Sequence, residues 1–171
     1  MALSVPWLAP LGAGLAIATV CDLRSRRIPN VVSVPLLVAA LMVRGLNEGA
    51  VAAFSGMGAA ALVVAALYRP WLMGGIGGGD VKLAAATAAW VPFARLHWFA
   101  LCAAAAGGVV AAFYYWVARP AARAEIRANL TLTVLQNELP AVPSHRAGHP
   151  SVPYAVAIAA GAVIALLGPF Q

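Results

Sequence analysis

Apolar, nearly uncharged runs recur along this chain, most of them about as long as a helix needs to cross a hydrocarbon core of about 30 Å at about 1.5 Å of rise per residue. In lipid a backbone must pair its own N–H and C=O groups, so such runs fold as helices packed side by side. The first extends from Val5 to Cys21, with Pro6 and Pro10 near its outer end. A second, Val31 to Val43, is short and reaches to Leu46, with a tight turn over Arg44 to Gly49. The third covers Ala50 to Leu67 and ends at Tyr68, Arg69 and Pro70. A fourth runs from Val81 to Trp90, Pro92 to Arg95 turn the chain into a fifth from Leu96 to Val117, and Val152 to Leu167 is the sixth. The expectation is an all-α integral membrane protein of about six transmembrane helices, forming a single polytopic domain over residues 1–171. Only 9% of its residues are charged, against roughly 25% in a soluble domain.

The few charges orient the spans. Arg24, Arg26, Arg27, Arg69, Lys82, Arg119, Arg123, Arg127 and Arg146 fall on one side of a six-span arrangement, and only Arg44 and Arg95 on the other. The rule that cytoplasmic loops carry Lys and Arg then places the N-terminus outside and the first, third and fifth connections in the cytoplasm. This explains the net charge of +6 without nucleic acid, which is not an expected partner. No basic region precedes the first run, so no cleaved signal peptide is expected. Trp90, Trp98 and Trp116 fit interfacial belts. Residues 118–150 carry Arg119, Arg123, Glu125, Arg127 and Glu138 with Pro and His toward the end, and read as a cytoplasmic or interfacial loop. Cys21 and Cys102 lack ligand spacing and read as small buried hydrophobes, so no metal or other cofactor is expected.

Between the third and fourth runs stands GGIGGGDVKL, Gly74 to Leu83, with five glycines in six positions before Asp80. Glycine weakens a helix and admits close approach of another chain, so this is a deliberate break. A carboxylate at the edge of a membrane segment is a functional candidate by default, and Asp22 is the one other aspartate in the chain. The orientation puts both on the cytoplasmic side. Two carboxylates at one depth on separate helices can share general acid and general base roles, as in an aspartic protease. Either alone has a plainer reading: Asp22 pairing with Arg24, Arg26 or Arg27, and Asp80 capping the fourth helix. Paired carboxylates also mark ion pathways.

Asp22 in DLRSRRIPN, and Gly77, Gly78, Gly79 and Asp80 followed by Val81, Lys82 and Leu83, resemble the two active-site motifs of type IV prepilin peptidases, membrane aspartic proteases of the GxGD type. PSVPYAVAIAAG, Pro150 to Gly161, resembles a third signature, so the similarity spans nearly the whole chain. The resemblance implies catalysis by Asp22 and Asp80, with Gly77, Gly78, Gly79 and Lys82 supporting the motif. It implies a prepilin-like protein substrate with a short basic leader and an apolar helix, cleaved after glycine on the cytoplasmic side of the inner membrane. Larger members carry paired CxxC zinc motifs between the first two spans and methylate the new N-terminus. That insertion is missing here, which implies a peptidase-only form similar to the small enzymes of tight-adherence (Flp-type) pili.

Other motifs fail on their neighbours. His145 and His149 lack the glutamate of HExxH, Lys82 lacks the glycine and the Ser or Thr of a P-loop, and Ser55 lacks the preceding glycine of an intramembrane serine protease. Lys82 reads as snorkelling to headgroups and Ser55 as a helix-packing residue. The rival classes are a small ion-coupled transporter or channel component using Asp22 and Asp80 as a proton or cation site, and an assembly scaffold without chemistry.

Overall fold

Long apolar runs and the lack of water in a bilayer leave helices as the way to satisfy this backbone, and helices are what form. The computed structural model describes residues 5–72, 76–117, 123 and 153–168. Among these are six α-helices and no strand: α1 (Ala9–Ser25), α2 (Asn30–Glu48), α3 (Ala50–Leu72), α4 (Gly78–Ala88), α5 (Leu96–Val117) and α6 (Tyr154–Leu167). Short 3-10 turns, Val5–Leu8 and Phe93–Arg95, lead into α1 and α5. Asn30–Glu48, Ala50–Leu72 and Phe93–Val117 are long and apolar enough to cross a membrane, and Tyr154–Leu167 is a shorter apolar helix. Their outward faces carry Val31, Val38 and Met42 on α2, Phe54 and Leu62 on α3, and Leu101, Val109 and Phe113 on α5. Acyl chains solvate such faces as well as a protein core would. The protein is a helical membrane protein.

The fourth expected span takes a different form. α4 has 11 residues, a rise of about 16 Å, roughly half of a hydrocarbon core. Val81 and every residue from Leu83 to Ala88 are buried, because four alanines keep the helix thin enough for α2, α3 and α6 to close around it. The chain then continues through buried Ala89, Trp90 and Val91. Trp90, expected at an interface, is fully buried, and its indole N–H donates to the Leu36 carbonyl at 3.1 Å.

Arg44 corrects a second expectation. The turn expected over Arg44 to Gly49 is helical as far as Glu48, and Gly49 alone reverses the chain at a φ of +90° that other residues rarely adopt. Arg44 is 4% exposed rather than a loop charge. Its Nη1 donates to the carbonyls of Ala89 (3.1 Å) and Val91 (3.2 Å), and its Nη2 reaches Ser55 Oγ at 3.4 Å and the Glu48 carboxylate at 3.5 Å. A guanidinium in this setting persists because its donors meet carbonyls that the end of α4 leaves unpaired. α3 likewise runs past Tyr68, Arg69 and Pro70 to Leu72: near a helix end Pro70 forfeits little beyond its own N–H.

α5 and α6 cross closely. A Cβ at Gly161 would lie 2.7 Å from both Cβ and N of Ala103 and 2.9 Å from its Cα, so the two backbones touch where Gly161 has no side chain. Gly161→Ala is therefore expected to lower stability by about 1–3 kcal/mol through forced separation of α5 and α6. Gly12→Ala, which meets nothing within 4 Å, is the matched control and should leave stability unchanged or slightly raised. Thermal unfolding of both variants in one detergent checks this.

Candidate active site

Three helix ends converge at one end of the bundle: the C-terminal turn of α1 and the N-terminal turns of α4 and α6. Asp22 lies inside α1 rather than beyond it, 6% exposed, and one carboxylate oxygen accepts the Ala155 backbone N–H at 3.2 Å. That N–H is among the first in α6 and has no partner within its own helix. α1 ends at Arg26, whose backbone adopts a φ of 53° and whose N–H donates to the Asp22 carbonyl at 2.9 Å. The Arg26 guanidinium donates to the Tyr114 hydroxyl at 3.1 Å and lies over that ring, 5.3 Å from its centroid, tying the loop to α5.

The glycine stretch is described from Ile76 onward; Gly74 and Gly75 lie outside the described residues. Gly77 precedes α4, and Gly78 and Gly79 form its first turn, so these two glycines belong to the helix. Their value is close approach. A Cβ at Gly79 would stand 3.2 Å from both the Cβ and the carbonyl oxygen of buried Ile28, and one at Gly78 would stand 3.1 Å from the Trp71 indole nitrogen. Gly77 lies under the Asp80 carboxylate, which accepts a hydrogen bond from the Gly77 backbone. Asp80 thus reaches back over its own helix start, the carboxylate half of a capping box. Lys82 Nζ donates to Asn30 Oδ1 at 3.0 Å, linking the two motifs; it does not extend freely to headgroups, and Asn30 starts α2 without capping it.

Asp22 and Asp80 come together. Their negative charges lie close enough to interact. Asp80 opens on a cleft of about 390 Å³ between α3 and α5, floored by Ala84 of α4 and by Ala157 and Ile158 of α6. Among the described lining residues Asp80 is the one charged side chain, and Tyr154 carries the one other polar group. Sequence reasoning quoted Tyr154 within the third signature and assigned it nothing; its position just after Pro153, at a helix start, was the available signal. Arg119, Arg127, Arg146, Glu125, Glu138, His145 and His149 lie outside the described residues.

A membrane helix bundle in which one carboxylate opens on an apolar cleft and a second, buried one lies near enough for the two charges to interact defines a class able to do acid–base chemistry. The model of the type IV leader peptidase family matches residues 10–112, more than half of the chain, and spans both carboxylates. The chain belongs to the type IV leader peptidase family, and is a peptidase of that kind. No curated protein and no solved structure matches it.

Because Ile28 presses on Gly79 through its backbone as well as its side chain, Gly79→Val is expected to lower stability by about 1–3 kcal/mol. The displaced 26–30 loop should then be cut faster by a protease. Limited proteolysis alongside thermal unfolding checks both.

Proposed function

We propose that this protein is a membrane-embedded aspartic endopeptidase that removes the short basic leader from type IV prepilin-like, Flp-type precursors at the cytoplasmic face of the inner membrane. The meeting of Asp22 with Asp80, within a chain of the leader peptidase family, is the observation that carries this reading. One carboxylate takes a proton from water as its oxygen attacks the scissile carbonyl. The other, protonated, polarises that carbonyl and hands its proton to the departing amine. We assign Asp22, held by an N–H of α6, as base and Asp80 as proton donor. The site end is read as cytoplasmic because Arg24, Arg26, Arg27, Arg69 and Lys82 all belong to helix ends there, with the N-terminus outside and the chain making multiple passes. The enzyme needs no cofactor and carries no methyltransferase activity.

Purified protein incubated with a synthetic peptide of basic leader, glycine and apolar segment should release a mapped new N-terminus, unmethylated and insensitive to EDTA. Asp22→Asn and Asp80→Asn should each abolish cleavage in inserted, folded protein, and the double variant should be no worse than either, since groups acting as a unit are non-additive. The rate should fall at both ends of the pH range, because the reaction needs one carboxyl group ionised and the other protonated. Cleavage by either folded single variant would return the pair to a structural or ion-binding role.

A further inference from the structure

We propose that the Tyr154 hydroxyl donates a hydrogen bond to the carbonyl oxygen of the bond being cleaved, making Tyr154 a third catalytic residue beside Asp22 and Asp80. The proposal rests on the reading of those two as the hydrolytic pair. Tyr154 is the first residue of α6, and the next residue supplies the N–H that holds Asp22, so its backbone is fixed relative to one carboxylate. Its ring lines the cleft that Asp80 opens on, and the phenol and the Asp80 carboxylate lie within electrostatic range of one another. Gly107 of α5 flanks the ring: a Cβ there would sit 3.6 Å from Tyr154 Cε1 and 3.8 Å from Cδ1. The half-buried ring is thus held between α5 and α6, in the wall of the cleft that Asp80 opens on.

The hydroxyl has no hydrogen-bond partner among the described residues, whereas the Tyr114 hydroxyl accepts from Arg26. A phenol in an otherwise apolar cleft is unfavourable until a partner arrives. A peptide carbonyl presented to Asp80 is such a partner. As water adds, negative charge grows on that oxygen, and a donor aimed at it stabilises the transition state more than the bound substrate. The O–H bond of Tyr154 is kept throughout; the protons that move are those of water and of the carboxyl group.

Tyr154→Phe keeps the ring and removes the donor. In purified full-length protein acting on the leader–glycine–apolar peptide, kcat should fall by about 100-fold with KM and the melting temperature unchanged. A kcat within about threefold of the parent, or a loss confined to KM, would overturn the proposal. Should the Phe variant not fold, 3-fluorotyrosine at position 154 decides: its phenol donates a stronger hydrogen bond, so kcat at the pH optimum should rise with KM unchanged, and a kcat that does not rise would overturn the assignment. Asp80→Asn in the same assay separates the two levels. If it is inactive while Tyr154→Phe is normal, only the tyrosine role falls; if it still cleaves, the hydrolytic pair falls with it.

Discussion

The hydrogen bond from the Ala155 N–H to the Asp22 carboxylate, 3.2 Å and buried, joins the first helix of this bundle to the last. It meets the needs of both groups. A carboxylate held away from water requires donors, and the first turn of a helix carries N–H groups with no acceptor of their own. Its consequence is positional: α6 must begin where α1 ends, so the residues that open α6, Tyr154 above all, arrive at the same end of the molecule as Asp80. A charge that is costly in lipid thereby sets the register between segments 133 residues apart.

Small residues hold the rest of the frame at that register. Gly161 against Ala103, Gly79 against Ile28 and Gly56 against the Ala89 carbonyl are places where a methyl group would collide, and each joins a different pair of segments. Without a hydrophobic force between helices in lipid, such close backbone contact is the main source of packing energy. Arg44 closes the opposite end by bonding the carbonyls that follow α4. Together these contacts suspend a half-length helix inside the bundle with its N-terminus, and Asp80, at the edge.

The helical class and the placement of most helices were legible because length and apolarity leave a local mark, and Asp22 and Asp80 stood out as candidates because they are the two aspartates of the chain and one of them follows a run of glycines. α5 begins and ends at Leu96 and Val117 as its composition predicts. What was not legible depends on neighbours. Arg44 reads as a loop charge until Ala89 and Val91 present carbonyls to it, and Trp90 reads as interfacial until Leu36 accepts its N–H. α4 reads as a span because burial on all sides and exposure to lipid select the same apolar residues, and length alone separates them. Lys82 has the form of a snorkelling lysine, and nothing local discloses that Asn30, far away in sequence, receives it.

The lining of the cleft favours the proposed hydrolysis over ion passage. An ion path requires a succession of polar groups that replace water as the ion advances. Here Asp80 and Tyr154 stand at one end, and the described lining beyond them is alanine, glycine, valine, leucine, isoleucine and phenylalanine. Such a wall offers nothing to a cation and much to an apolar helix, whose backbone polar groups are already paired. A chain lying in it would remain helical along the wall and would have to unwind at Asp80, because only an unpaired carbonyl can be attacked by water. On the proposed function, the polar end of the cleft would select the bond: the first peptide group beyond the apolar helix of the substrate would be the one presented to Asp80, whatever side chains surround it.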